Sequence, residues 1–183
     1  MKVIDLHRDL NELIRSASDG NRQSQRVMYQ KYAPKLLSVC RQYINDEFVA
    51  EDLLVTSFMK IFTNLSKYEH RGPFEAWIRR VTVNECISYI RANKKVGFSE
   101  LDEHIESSFQ TDSVLIASDL QQIIDSLPIG CKMVFNLYAI DGFKHAEIAD
   151  MLQITEGTSK SQLAYARKLL QQMIHQSNIS YHG

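Results

Sequence analysis

The chain has 183 residues, 44% of them hydrophobic and 23% charged, with a formal net charge of -1. These values are those of an ordinary globular protein with one domain or two small ones. No run approaches the length of a membrane span and the N-terminus has no secretory signal, so we expect no membrane insertion and a cytoplasmic protein. Cys40, Cys86 and Cys131 lie far apart, which excludes a disulfide framework and a C-x-x-C metal pair.

Helical periodicity dominates the sequence, because almost no segment alternates apolar and polar residues. Pro73 and Pro128 are each placed to be the first residue of a helix. The predicted fold class is therefore all-α. In chain order, we expect helices at residues 5–17, 22–45, 48–65, 73–92, 119–125, 128–140, 145–152 and 156–175.

The small net charge conceals a strong asymmetry along the chain. Residues 1–98 carry 16 Lys and Arg against 11 Asp and Glu, and residues 127–183 carry five against four. Residues 99–126 carry seven acids and no Lys or Arg. The overall charge is therefore no argument against nucleic-acid binding.

An acidic, Ser-rich stretch with weak periodicity separates the two helical parts of the chain. Such a composition is typical of a connecting segment, because it offers few apolar residues to bury. We therefore predict two small helical domains, residues 1–95 and 119–183, joined by an acidic flexible linker at residues 96–118.

The predicted helix at 48–65 has apolar residues on more than one face. Leu53 and Phe58 lie on one side, and Leu54 and Val55 lie on another. Such a helix is either fully buried or half buried, with its remaining apolar surface reserved for a partner. Taken alone, the pattern favours the buried interpretation.

Basic and aromatic residues are mixed between Lys67 and Lys95, where seven Lys and Arg stand against three Glu. Four aromatic side chains are interleaved with them: Tyr68, Phe74, Trp77 and Tyr89. Positive charge attracts phosphates and aromatic rings hold unstacked bases, so the mixture suits single-stranded or melted DNA. The alternative is a solvated basic helix whose apolar side chains face the core. Asn84 lies at the edge of that apolar stripe.

Residues 142–163 have the spacing of a helix-turn-helix. Ile148 and Leu152 mark its first helix, Gln153 begins a tight turn, and Thr155 can cap the second helix. A helix-turn-helix presents its second helix to a DNA groove, where short polar side chains reach phosphates or base edges. These residues therefore predict duplex DNA binding.

Together, these segments resemble a known family. The residues that carry the resemblance are Ala50–Leu54, Phe58, Phe74–Asn84, Tyr89, Arg91, Leu127–Pro128, Val134, Phe135 and Gly157–Arg167. In this order, with an acidic segment between the two halves, they resemble bacterial RNA polymerase sigma factors of the extracytoplasmic-function (ECF) group, in the sigma-70 family. The resemblance implies a region-two helical bundle, an acidic linker and a region-four helix-turn-helix.

The resemblance implies an initiation factor without catalytic residues that docks on the beta-prime coiled coil and the beta flap of core RNA polymerase. An anti-sigma factor is a further expected partner. The polymerase contacts it implies are Glu51, Asp52, Leu53, Leu54 and Phe58. The resemblance also implies a base-capture loop at Lys67–Pro73. The contacts that it implies with the melted minus-ten element are Lys67, His70, Arg71, Arg79, Arg80, Asn84 and Arg91. At the duplex minus-thirty-five element they are Thr155, Thr158, Lys160, Ser161, Gln162, Tyr165, Arg167 and Lys168.

Several positions differ from the usual pattern of the family. Val55 and Thr56 stand where a glutamine and an acid are usual. Lys144 replaces a serine cap, Ser159 replaces an apolar residue, and Gln162 replaces an arginine. Loss of that arginine removes a phosphate or guanine donor, which predicts weaker or altered minus-thirty-five binding.

Two other functions fit parts of the sequence. A two-domain transcriptional regulator binds duplex DNA without joining polymerase, and an all-helical interaction module has no DNA contact at all. The basic, aromatic segment favours a sigma factor over a duplex-only regulator, which needs no single-strand site. The chain has no nucleophile elbow, Gly-rich phosphate loop or H-E-x-x-H motif, so we expect neither an enzyme nor a cofactor.

Overall fold

The computed structural model describes residues 2–93 and 120–179. The helices are α1 Lys2–Ser18, α2 Arg22–Tyr43, α3 Glu47–Asn64, α4 Phe74–Asn93, α5 Leu120–Asp125, α6 Ile129–Phe135, α7 His145–Leu152 and α8 Glu156–Ile179. A 3-10 turn at Leu65–Lys67 follows α3, and a π turn at Asn136–Ile140 follows α6. No strand occurs among these residues, and the predicted all-α fold class is confirmed.

Contacts divide the chain into two compact units, residues 1–92 and 93–183, called unit 1 and unit 2 below. The predicted acidic linker, residues 96–118, lies outside the described residues. The finer domain limits at 1–95 and 119–183 stay a prediction.

The sequence prediction places two helix starts one residue early. α4 begins at Phe74 and α6 at Ile129, so Pro73 and Pro128 immediately precede their helices. The Pro128 carbonyl oxygen accepts a hydrogen bond from the Lys132 N–H at 2.9 Å, which is the first bond of α6. Proline is tolerated there because its missing N–H has no helical partner to lose.

In unit 1, α2 packs against α1 and α3, and α1 also contacts the turn after α3. The Tyr32 ring of α2 meets the Phe74 ring of α4 with centroids 5.6 Å apart. The buried aliphatic and aromatic side chains of this core include Ile14, Met28, Tyr32, Leu36, Val39, Leu54, Phe58, Ile61, Phe74, Ile78, Val83 and Ile87. Each helix therefore contributes one apolar stripe to a common centre.

An ion pair joins α3 to α4. The Lys60 Nζ lies 2.5 Å from Oε1 of Glu85, whose side chain is only 10% exposed. A carboxylate this buried needs a charged partner, because removing it from water without one costs several kcal/mol. The pair therefore fixes α4 against α3 where the apolar core ends.

In unit 2, α8 packs against α6 and α7 and, more lightly, α5. One cluster of buried side chains consists of Ile123, Ile124, Leu127, Cys131, Ala166, Leu169 and Leu170. Ile148, Leu152 and Leu163 are buried as well, on the two helices of the helix-turn-helix. The helix predicted at 128–140 is α6 followed by the π turn, in which the Asp141 N–H donates to the Asn136 carbonyl oxygen at 3.0 Å.

We expect Ile61→Ala to lower the free energy of unfolding of unit 1 by about 2–5 kcal/mol, because Ile61 is completely buried and its truncation leaves a cavity. Val55→Ala, at an exposed position of the same helix, is the matched control and changes this free energy by less than about 0.5 kcal/mol. Trp77 is the only tryptophan and lies in unit 1, so its fluorescence in a urea titration follows this unit. Equal losses in both variants would contradict the burial pattern.

Candidate polymerase and nucleic-acid interfaces

Helix α3 begins after Asp46, whose Oδ1 accepts a hydrogen bond from the Val49 N–H at 3.1 Å. Leu53, Leu54 and Phe58, three of the five predicted polymerase contacts, are buried within unit 1. They are core side chains, so they hold the helix in place and do not themselves face a partner. The sequence left two alternatives for this helix, fully buried or half buried, and the structure shows that α3 is half buried.

The exposed side of α3 carries a stripe of apolar residues. Phe48, Val55 and Met59 are 82%, 51% and 66% exposed, and Asp52 is exposed between them. Their spacing of i, i+4, i+7 and i+11 places all four on one face, called the α3 outer face below. Glu51 is exposed beside it. Clustered exposed apolar residues on a soluble protein mark a partner site, and periodicity from Phe48 onward is the signal that could have identified this one.

The loop between α3 and α4 is closed by Tyr68. Its hydroxyl donates to the Gly72 carbonyl oxygen at 2.6 Å. Its ring lies 4.5 Å from the ring of His70, 5.2 Å from Phe74 and 5.6 Å from Trp77, measured between centroids. His70 has a φ of 55°, in the left-handed region that few non-glycine residues adopt. The predicted base-capture loop therefore has a defined shape with aromatic rings at its base.

Lys67, His70 and Arg71, the predicted minus-ten contacts of this loop, are all exposed. Arg71 Nε forms an ion pair with Glu69 Oε2 at 2.7 Å. Exposed pairs of this kind contribute about 1 kcal/mol or less, so a phosphate can readily replace the carboxylate. The loop thus combines accessible positive charge with an aromatic surface.

Helix α4 continues this surface. Trp77, Arg80, Asn84 and Arg91 are spaced at i, i+3, i+7 and i+14, which places them on one face. Arg80, Asn84 and Arg91 are exposed, and Trp77 is half buried. An amide with both donors and an acceptor therefore lies between two arginines on a face that also carries an aromatic ring. This arrangement suits a nucleotide whose base is read by the amide and whose phosphates meet the arginines.

Two predicted DNA contacts are instead turned towards neighbouring helices. Arg79 is half buried, and its Nη2 donates to Gln42 Oε1 of α2 at 3.1 Å. Gln162 is also half buried, and its Oε1 accepts a hydrogen bond from the Cys131 thiol at 2.8 Å. Burial raises the pKa of Cys131 to about 11, which keeps the thiol protonated as a donor. Arg79 and Gln162 therefore stabilise the fold of their own units.

The turn of the helix-turn-helix is formed by Gln153, which adopts a left-handed conformation with φ 58° and ψ 45°. The Ile154 N–H then donates to the Ala149 carbonyl oxygen at 3.0 Å, which closes the end of α7. Thr155 caps α8, because its Oγ1 accepts from the Thr158 N–H at 3.0 Å and contacts the Thr158 hydroxyl at 2.8 Å. The predicted cap at Thr155 is confirmed.

Exposed polar residues follow the outer side of α8. Ser161, Tyr165 and Lys168 are exposed at i, i+4 and i+7, on the side opposite the buried stripe. Lys160 is exposed as well and pairs with Glu156 at 2.7 Å. That pair lowers the pKa of Glu156. The side of α8 that faces away from the core therefore carries hydroxyl and ammonium groups of the kind that contact DNA phosphates and base edges.

The unusual residues at the start of both helices have local partners. Lys144 precedes α7 without a side-chain cap, but Glu147 Oε2 accepts from the Lys144 N–H at 2.9 Å. Ser159, where an apolar residue is usual, is completely buried, and its Oγ lies 2.9 Å from Nδ1 of His145. The buried hydroxyl is therefore satisfied by a side chain that periodicity alone does not identify.

All three cysteines are buried free thiols. A hydrogen bond between Cys40 and Cys86 lowers the pKa of Cys40 and raises that of Cys86. In the part of the chain that the structure describes, no group of three or more His, Cys, Asp and Glu is arranged to hold a metal ion. Over those same residues, no helix combines the length and the apolar character needed to cross a membrane.

Comparison with known proteins matches the chain to two models of one family. The model of sigma-70 region 2 matches residues 28–96, and the model of sigma-70 region 4 matches residues 117–170. The chain belongs to the sigma-70 family. This sigma factor is therefore a transcription initiation factor and not an enzyme, and core RNA polymerase and promoter DNA are its partners.

Relatives of this sigma factor place it in the ECF group. The ECF RNA polymerase sigma-E factor of Salmonella typhimurium is 24% identical, over 86% of this chain and 90% of the relative. The protein of the same description from Escherichia coli K12 is 23% identical over the same shares.

Two solved structures share the fold. One is CnrH in complex with the cytosolic domain of CnrY, with a TM-score of 0.51 and 20% identity over 89% of this chain and 95% of that one. The other is the sigma factor RpoE in complex with the anti-sigma factor NepR from Bartonella quintana, with a TM-score of 0.51 and 22% identity over 82% and 96%. Both support the helical architecture described above.

We expect Tyr68→Phe to open the loop between α3 and α4 of this sigma factor, because the hydroxyl that holds the Gly72 carbonyl is lost while the ring contacts remain. Trypsin then cleaves the folded protein faster after Arg71, whereas the free energy of unfolding falls by only about 1 kcal/mol. Tyr29→Phe, at an exposed tyrosine of α2, is the control and leaves the cleavage rate unchanged. Equal rates in both variants would show that the Tyr68 hydroxyl does not restrain the loop.

Proposed function

We propose that this sigma factor works in the cytoplasm by dividing promoter recognition between its two units. Unit 1 binds core polymerase and the melted minus-ten element, and unit 2 binds the duplex minus-thirty-five element. The observation that carries the proposal is that unit 1 alone bears two different surfaces: the apolar α3 outer face, and a basic, aromatic surface on the loop and α4. A duplex-only regulator has no use for either.

The polymerase contact that we propose is the α3 outer face together with Glu51. The apolar side chains of this face supply most of the binding free energy when they leave water, and Asp52 among them and Glu51 beside them select a basic partner. The resemblance points to the beta-prime coiled coil as that partner. Leu53, Leu54 and Phe58 support the contact from within the core.

For the minus-ten element, we propose that Asn84 reads an unstacked base held near the Tyr68 and Trp77 rings. Unstacking a base costs a few kcal/mol, which stacking on aromatic side chains and hydrogen bonds to the amide offset. The basic residues around this site meet the flanking phosphates: Lys67, His70, Arg71, Arg80 and Arg91. Arg79 contributes indirectly by fixing α4 to α2 through Gln42.

For the minus-thirty-five element, we propose that α8 lies in the major groove with Ser161, Tyr165 and Lys168 towards the DNA. Thr155, Thr158, Lys160 and Arg167 contact phosphates at its edges, and unit 2 also meets the beta flap. Gln162 is held by the Cys131 thiol, so it offers the DNA less than the arginine that is usual there. The minus-ten contacts therefore contribute the larger share of promoter affinity.

An anti-sigma factor is the remaining partner that we propose. The two solved structures described above are complexes, one with the cytosolic domain of CnrY and one with the anti-sigma factor NepR. A protein that covers the α3 outer face would keep this sigma factor from core polymerase.

We expect Met59→Glu to weaken binding to purified core polymerase roughly tenfold or more, because a carboxylate buried in an apolar interface lacks a partner. Met59 is exposed, so the fold tolerates the change, whereas glutamate at the buried Leu53 or Phe58 disrupts unit 1. Ser38→Glu, at an exposed position of α2, adds the same charge and leaves binding unchanged. Binding is measured with the full chain by titration against labelled core enzyme, and equal affinities in the two variants would remove the α3 outer face from the interface.

We expect Asn84→Ala to reduce open-complex formation on the order of tenfold while core binding is retained, because only the base contact is lost. The measurement is run-off transcription on a promoter library with permanganate footprinting of melted thymines, and Gln30→Ala is the exposed-amide control. A wild-type chain that binds duplex DNA but not core polymerase would identify a duplex-binding regulator instead. A chain that binds neither would identify an interaction module.

A further inference from the structure

Four side chains from three elements of unit 2 form a continuous series. Ser159 of α8 bonds to Nδ1 of His145, the first residue of α7, at 2.9 Å. The His145 ring stacks on the Tyr138 ring of the π turn, with centroids 4.6 Å apart and planes 22° apart. The guanidinium carbon of Arg167, three turns into α8, lies 5.7 Å from the centroid of the Tyr138 ring.

The buried end of the series orients the rest. Ser159 is completely buried, so its hydroxyl needs the imidazole as a partner, and the imidazole ring is thereby fixed in one plane. A fixed ring then supports Tyr138 by near-parallel stacking. The partly exposed Tyr138 therefore stands at a defined place beside α8, although it belongs to another element.

The exposed end of the series restrains Arg167. A cation over an aromatic face is attracted to it, and a guanidinium group held there loses fewer rotamers when it later binds an anion. Glu156 and Lys160 share an edge of α8 with Arg167, at i, i+4 and i+11. The Glu156 carboxylate is already paired with Lys160 at 2.7 Å, so it competes less for the guanidinium.

We propose that Tyr138 and His145 are positioning residues that hold the Arg167 guanidinium ready for a phosphate of the minus-thirty-five element. The proposal rests on the proposed function of unit 2, and it adds two residues that do not touch DNA themselves. It also explains the serine at 159: an apolar side chain there gives the imidazole no hydrogen bond.

The test is a double-mutant cycle on holoenzyme assembled from the full chain and core polymerase. The affinity of the holoenzyme for a fluorescent promoter fragment is measured over a range of salt concentrations. The fragment carries the promoter sequence that is most enriched by run-off transcription on the library. We expect Arg167→Ala to weaken binding roughly tenfold and to reduce the slope of log affinity against log salt by about 0.9, since one phosphate contact is lost. Tyr138→Leu also weakens binding and reduces the salt slope. Tyr138→Phe, which keeps the ring, binds as the wild type does.

The double variant Tyr138→Leu/Arg167→Ala is expected to bind no more weakly than Arg167→Ala alone. Because a merely destabilised fold weakens binding whether or not Arg167 is present, independent losses in the double variant would overturn the proposal. An unchanged salt slope in Arg167→Ala would also overturn it. His145→Ala provides a second cycle with Arg167→Ala and the same expected result, and far-UV circular dichroism checks that every variant is folded.

Failure of the positioning proposal is distinguishable from failure of the proposed function. If the wild-type holoenzyme initiates transcription on the selected promoter but the losses are independent, only the positioning role is wrong. If the wild type neither binds core polymerase nor initiates, both are wrong.

Discussion

The inner face of α3 packs against α2, and the functional surfaces of unit 1 follow from that contact. Burying Leu54, Phe58 and Ile61 fixes the rotation of the helix about its axis, so Phe48 and Met59 have to point outward. The same contact fixes where α3 ends, and therefore where the loop to α4 begins. One packing interaction thus orients both the proposed polymerase surface and the proposed single-strand site.

Polar contacts then fix helix positions that apolar packing alone does not determine. The buried Glu85 carboxylate requires Lys60, and this pair sets α4 against α3. With α4 in place, Asn84 stands on the same face as Trp77, whose ring lies 5.6 Å from the ring of Tyr68 in the loop, measured between centroids. The proposed single-strand site is therefore assembled from two elements whose relative position depends on an ion pair as well as on the apolar core.

In unit 2, two side chains that differ from the family pattern form hydrogen bonds with other side chains of the same unit. Ser159 meets His145, and Gln162 meets Cys131, so each polar group that replaces a usual residue has a hydrogen bond inside the unit. The cost of burying a hydroxyl or an amide is thereby offset locally. Gln162 therefore supports α8, whereas Ser161, Tyr165 and Lys168 are the exposed side chains that we propose face DNA.

Much of the helical structure was predictable from periodicity and capping, which are local properties of the sequence. The eight helices, the cap at Thr155 and the stripe of Ile148, Leu152 and Leu163 depend on residues within a few positions of each other, so the sequence alone specifies them. The motifs of both halves also identified the family before any contact was known. An exception is the π turn at Asn136–Ile140, because no pattern of side chains distinguishes it from the end of α6.

Only the tertiary structure decided which side of each helix is available. Periodicity from Phe48 onward places Leu53 and Val55, both apolar, on different faces of α3, but it does not say which of the two faces is core. That difference arises from contacts with α2, which are distant in the chain. The same holds for Arg79, whose guanidinium donates to Gln42 of α2, and for His145, whose partners lie in two other elements. Local sequence sets where a helix begins and ends, whereas long-range packing sets which residues it can offer to a partner.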